Sequence, residues 1–227
     1  MRRWSPLLFP VALVLVTFAT GAVAEPRIGI SAYTGYQSYT MGQINDAIDG
    51  VKEALSTPGR PANIDNLNGD VSFGGAVKAD FDKTWRAYLE YEYLKDSSGY
   101  GNSLGSWRLK PNANAILVGG TYFFPSTGKT RLGLGAGVGY YAFGGSVNST
   151  VTWGTTTSSG SHDLGGSTVG LHGRGEIDVT LSPVWHFDGA LGYRWAKGGL
   201  DTDGNDSGMD LDWSGLMTRV GFTYFVN

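Results

Sequence analysis

The chain has 227 residues, 41% of them hydrophobic and 13% aromatic, with 36 glycines, no cysteine and a formal net charge of −3. The lack of cysteine excludes a disulfide framework and a lipid-attached N-terminus, and the mild acidity argues against nucleic acid as a partner. Beyond one N-terminal stretch, no apolar run approaches the roughly 20 residues that a membrane-spanning helix needs.

That N-terminal stretch reads as a secretory signal peptide over residues 1–24. Arg2 and Arg3 supply the positive start, Leu7 to Ala19 the short apolar run, and Ala22-Val23-Ala24 the small-x-small cleavage site. Residues 25–227 then form one domain of 203 residues with 15 Lys+Arg against 20 Asp+Glu.

Eight strand-like segments follow, near Pro26–Tyr36, Asp70–Phe81, Thr84–Leu94, Asn112–Phe124, Thr130–Phe143, Ser167–Leu181, Val184–Trp195 and Trp213–Val226. The connections alternate in length. Asp82-Lys83, residues 125–129 and Ser182-Pro183 are tight turns, whereas the connections starting near Gln37, Lys95, Gly144 and Ala196 are long and polar. In the first long connection Met41, Ile44, Ile48, Val51 and Leu55 fall at helical spacing, which predicts a short amphipathic helix ended by Pro58, fit to cap one end of the fold. In the third segment Trp85, Ala87, Leu89, Tyr91 and Tyr93 alternate with Arg86, Tyr88, Glu90 and Glu92; the sixth and seventh segments alternate the same way. The fifth puts a glycine at every second position from 133 to 139, and the fourth gives no clean alternation.

These faces decide between two kinds of closed sheet. A soluble eight-stranded barrel has an apolar interior and a polar skin. Here one face carries paired charges of both signs and the other is aliphatic, with aromatics toward the strand ends. A charge on a lipid face costs about 2–4 kcal/mol at the membrane midplane, so the charges must point inward and the aromatics suit interfacial girdles. The pattern predicts an all-β fold: an eight-stranded antiparallel transmembrane barrel with short periplasmic turns and long extracellular loops, in a bacterial outer membrane.

The C-terminus runs Arg219-x-Gly221-x-x-Tyr224-x-Val226, followed by Asn227. This resembles the terminal signal by which outer-membrane barrels are recognised by the barrel-assembly machinery, with Val226 in place of the frequent terminal Phe. As a whole, residues 25–227 resemble the small outer-membrane β-barrel superfamily, which includes the transmembrane domain of outer membrane protein A, the X and W outer membrane proteins and the opacity proteins. The resemblance implies a monomer embedded among outer-membrane lipid and lipopolysaccharide.

Candidate functional residues fall in three groups. The inward charges Arg86, Glu90, Glu92, Arg174, Glu176, Asp178, Asp188, Arg194 and Arg219, with Lys78, Asp80 and Arg131, either line a water path or form a salt-bridged plug. The plug is favoured, because eight strands enclose a lumen that side chains just fill. Of the three histidines, His172 and His186 sit on the inner face, and His162, beside Ser161 and Asp163, falls in a presumed loop; a catalytic site is not expected. In the fourth long loop Asp201, Asp203, Asn205, Ser207 and Asp212 take positions 1, 3, 5, 7 and 12 of a calcium-loop pattern, which predicts at most a weak Ca²⁺ site and otherwise no cofactor. Gly128-Lys129-Thr130 mimics the end of a phosphate-binding loop, but a strand follows and it reads as a turn. The function expected is a non-enzymatic outer-membrane protein acting through its loops. A narrow channel for small hydrophobic or amphipathic molecules is the alternative, and a lipid A-modifying enzyme the third reading.

Overall fold

In the computed structural model the described residues are 25–56, 63–102, 105–153 and 156–226. The expected signal peptide lies outside them. Among the described residues there are eleven strands and one helix: β1 (Arg27–Ser38), α1 (Gly42–Leu55), β2 (Gly69–Asp80), β3 (Trp85–Lys95), β4 (Ser98–Asn102), β5 (Gly105–Phe123), β6 (Thr130–Trp153), β7 (Thr156–Thr180), β8 (Trp185–Trp195), β9 (Lys197–Thr202), β10 (Asn205–Asp212) and β11 (Gly215–Val226).

Eight of these strands form a closed antiparallel ring, β1-β2-β3-β5-β6-β7-β8-β11, with β11 returning to β1. The closing register runs from Ile28↔Val226 to Gln37↔Met217, so the last strand of the chain has no free edge. At the short-turn end the seam is reinforced where Arg27 donates to the Pro183 carbonyl at 2.7 Å and covers the Phe225 ring. The fourth ring strand, ambiguous in sequence, turns Ala113, Ala115, Leu117, Thr121 and Phe123 inward, all buried, and Ile116 and Tyr122 outward.

The two faces of the ring obey inverted rules. Ile30, Leu132, Leu134, Val169, Leu171, Leu191 and Val220 point outward and stand more than half exposed. A soluble protein does not leave a continuous belt of this kind to water. Aromatics bound the belt: Trp85, Tyr122 and Phe124 in edge contact, and Trp185 with Tyr224, at the short-turn end, with Tyr36, Tyr91, Tyr140 and Trp195 at the other. From Trp185 to Trp195 is about 33 Å along β8, or about 25 Å of height at a tilt of about 40°, the thickness of an outer-membrane apolar band.

Beyond the belt, the long connections are more ordered than their polarity suggests. β5, β6 and β7 run past the membrane boundary as a three-stranded extension, β4 pairs along β5, and β9 and β10 form a hairpin against β7. This corrects the expectation of loops in the connections starting near Lys95, Gly144 and Ala196, which are largely strand. His162, expected in a loop, sits on β7 opposite Val147. The helix predicted in the first long connection is α1, and Met41, Ile44 and Ile48 are buried beneath it against Ile64, Leu67, Leu109, Leu200 and Leu211.

Candidate functional site

The barrel interior is built in storeys. Nearest the short turns, Arg86 (β3) donates through Nε to Asp80 Oδ1 at 2.6 Å and through Nη2 to Asp178 Oδ2 at 2.7 Å. Arg131 (β6) reaches the same two carboxylates, at 2.9 Å from Asp80 and 3.2 Å from Asp178. Lys78 Nζ is 3.0 Å from Asp188, which also accepts from the Thr223 hydroxyl, and His186 Nδ1 lies 2.9 Å from Asp178. The rings of Phe123 and Phe225 floor this storey beneath the guanidinium of Arg86.

At mid-height, Glu90 is the hub. Arg174 (β7) grips it with two parallel bonds of 2.7 and 2.8 Å, and Arg219 (β11) adds a third at 2.7 Å. Glu176 accepts from Arg174 Nε, and the Arg174 guanidinium lies 3.9 Å from the centre of the Tyr88 ring. Tyr88 in turn meets His172 Nε2 at 2.8 Å. Glycines directly across on the neighbouring strands are what admit these groups: a Cβ on Gly119 would sit 2.3 Å from the Tyr88 hydroxyl and one on Gly137 2.8 Å from the His172 ring. In the top storey Arg194 donates through Nη2 to Glu92 at 2.8 Å and to Gln37 at 3.0 Å, while Gln37 and Ser72 also donate to Glu92.

Six cations (Lys78, Arg86, Arg131, Arg174, Arg194, Arg219) thus face six carboxylates (Asp80, Glu90, Glu92, Glu176, Asp178, Asp188), each within a salt bridge. These are the twelve charges named as inward from the sequence. Sequence reasoning passed over the neutral partners Gln37, Ser72 and Thr223, whose only signal is an inward position among charges. Of the terminal motif, Arg219 and Gly221 point inward and Tyr224 and Val226 outward, with Gly221 against Tyr33 of the first strand.

The structure does not gather the calcium-loop residues. Thr202 pairs with Asn205, so Asp203 and Gly204, at φ of 52° and 80°, are the two central residues of a tight hairpin turn. Both residues at positive φ is the geometry that Asp-Gly favours. The Asp203 carboxylate accepts from His162 Nδ1 at 2.7 Å and from the Asp163 amide at 2.9 Å, bonds that hold its carboxyl below the usual range. Asp212 accepts from the Ser214 amide, and Asp210 pairs with Lys197 at 3.0 Å. Strand pairing spreads Asp201, Asp203, Asn205 and Asp212 along the hairpin, and among the described residues no group of three acidic or histidine side chains converges to hold a metal. Ser161 donates to Asn148 rather than to His162, so the expected neighbours do not assemble a nucleophile and base.

Two concavities stand out among the described residues. A shallow hollow of about 780 Å³ lies on the outer wall, where the outward positions Gly175 and Gly189 leave the sheet bare; it belongs to the lipid-facing surface. An apolar crevice of about 290 Å³ opens beneath α1, lined by Ile44, Ile48, Leu109, Leu164, Leu200 and Leu211 with His162 at its rim.

A closed ring with an apolar belt outside and paired charges inside defines a transmembrane β-barrel of the small outer-membrane type. No protein-family model and no curated protein sequence matches the chain. Among solved structures it is similar to a major outer membrane protein from Thermus thermophilus, at 12% identity over 87% of this chain and 99% of that one, with a TM-score of 0.50. It is also similar to the outer membrane protein OprG from Pseudomonas aeruginosa (16% identity, 91% and 98% covered, TM-score 0.49) and to CarO2 from Acinetobacter baumannii (13%, 89% and 99%, 0.49). At 12% identity the first of these likenesses speaks for the fold alone.

Proposed function

We propose that this protein is a non-enzymatic outer-membrane anchor that holds a structured platform on the cell surface. The observation that carries the reading is the interior itself. Six cations and six carboxylates are paired across the lumen, and Phe123 and Phe225, both fully buried, floor it. A small barrel filled in this way leaves no lane for water. The ordered material is invested at the other end, in the β5-β6-β7 extension, the β9–β10 hairpin and α1, and in barrels of this kind the long-loop end faces outward. The reading as a channel along the barrel axis loses support for the same reason.

The test is conductance of the full chain, purified from outer membranes and fused with a planar lipid bilayer, with heat-modifiable gel mobility confirming that the inserted protein is folded. A silent bilayer is the expected result. Discrete conductance steps from folded protein would overturn the anchor reading and restore the channel.

A further inference from the structure

Where the charged interior meets the apolar cap, hydrogen-bond donors are left over. Arg194 is 1% exposed, and both of its hydrogen bonds leave from a single nitrogen, Nη2; its Nε and Nη1 have no partner. The indole Nε1 of Trp213 and the hydroxyls of Tyr39 and Tyr141 have none either, and all three side chains are buried. The four residues are neighbours. The Tyr39 and Trp213 rings are 4.6 Å apart, and the Arg194 guanidinium is 5.5 Å from the centre of the Tyr141 ring. The Tyr141 hydroxyl lies within hydrogen-bond reach of that guanidinium but out of line with its N–H groups, and the Tyr39 hydroxyl lies within its electrostatic reach.

The chemistry of the imbalance is specific. Three of the five unpartnered groups, the two Arg194 nitrogens and the indole, can only donate. The nearest carboxylate, Glu92, already accepts from Arg194, Gln37 and Ser72. A water molecule here would bring two more donors into a place short of acceptors, whereas a carboxylate accepts on two oxygens and donates nothing. The surroundings are apolar, since Tyr39, Tyr141 and Trp213 belong to one buried cluster with Ala113, Ala115, Leu117 and Ala196.

We propose that Arg194, Tyr39, Tyr141 and Trp213 form a buried binding site for the carboxylate of a small organic acid, with its hydrocarbon part against the apolar cluster. The test uses the full chain, ¹⁵N-labelled and purified in a detergent with a neutral head group, and follows the indole N–H resonance of Trp213, assigned by its loss in Trp213→Phe. Sodium acetate and sodium butyrate are titrated at constant pH against acetamide and against sodium chloride at matched ionic strength. The expected result is a saturable shift with the two carboxylates, none with acetamide or chloride, and an affinity about tenfold weaker or worse in Arg194→Lys, which keeps the charge and loses the planar donors. Tyr39→Phe combined with Tyr141→Phe removes two donors while keeping the rings, and is expected to weaken binding similarly if Arg194→Lys fails to fold. No saturable shift, or an equal shift with chloride, would overturn the site.

Discussion

From the short turns up to Glu92 the interior is packed with ion pairs, while from Tyr39 upward it is packed with Met41, Ile48, Leu67, Phe143, Leu200 and Trp213, as the core of a soluble protein is. The same ring of strands encloses both. What changes is the solvent outside the wall. Within the membrane span, an apolar side chain gains little by moving from lipid to the interior, while a charge left facing lipid costs about 2–4 kcal/mol, so polarity is what sorts the two faces. Above the span the outside is water, and burial of apolar area again drives packing. The boundary between the two regimes falls near Arg194, where the donors left over belong to neither.

The sharpest way to break this comparison is to remove a hub from the charged storeys. Glu90→Ala leaves Arg174 and Arg219 buried without the carboxylate that both grip, and stranding such charges costs about 3–5 kcal/mol. The urea midpoint for folding into lipid vesicles is expected to fall by about 1–5 M, taking a dependence of about 1–3 kcal/mol per molar. An unchanged midpoint would mean that the ion pairs fill space without holding the barrel together.

A cut in the cap should act locally. Ile48 is 1% exposed under α1, and Ile48→Ala is expected to cost about 2–5 kcal/mol at that site. The expected outcome is faster proteolysis within Gly42–Leu55 with the heat-modifiable mobility of the barrel unchanged. If the barrel's urea midpoint fell with the cap, the two regions would be one cooperative unit and the distinction between them would fail.

The sequence declares the membrane-spanning part well, for the same physical reason. Period-2 alternation of Trp85, Leu89 and Tyr91 with Arg86, Glu90 and Glu92 marks two faces that meet different media, and the ring strands begin and end within a few residues of the expected limits at the short turns. Beyond the belt that contrast fades, because β7 is polar on both faces from Thr156 to Asp163 and leaves no alternation to read there. The β9–β10 hairpin does carry a signal, since Asp203-Gly204 is a strong two-residue turn, but the spacing of the acids around it points to a cation instead. Which donors would lack partners could not be read at all, since Tyr39, Tyr141, Arg194 and Trp213 meet only through closure of the ring.

The smallest effect is expected from a charge that shares the chemistry of the interior but stands in water. Asp203 is exposed, and the bonds from His162 and the Asp163 amide depress its pKa in the folded state. A lowered folded value means that its contribution is fully present above the unfolded value of about 3.9 and is lost as pH falls through the folded one. The Asp163 amide resonance, followed from neutral pH downward, is therefore expected to move with a midpoint below about 3.9, and Asp203→Asn should abolish that step. Because solvent screens the pair, the same substitution should leave the urea midpoint where it was. A midpoint at or above the ordinary carboxylate value would show that the hairpin is not tied to β7 by this residue. A drop in global stability would show instead that an exposed pair at the loop end does what only the buried pairs of the interior are expected to do.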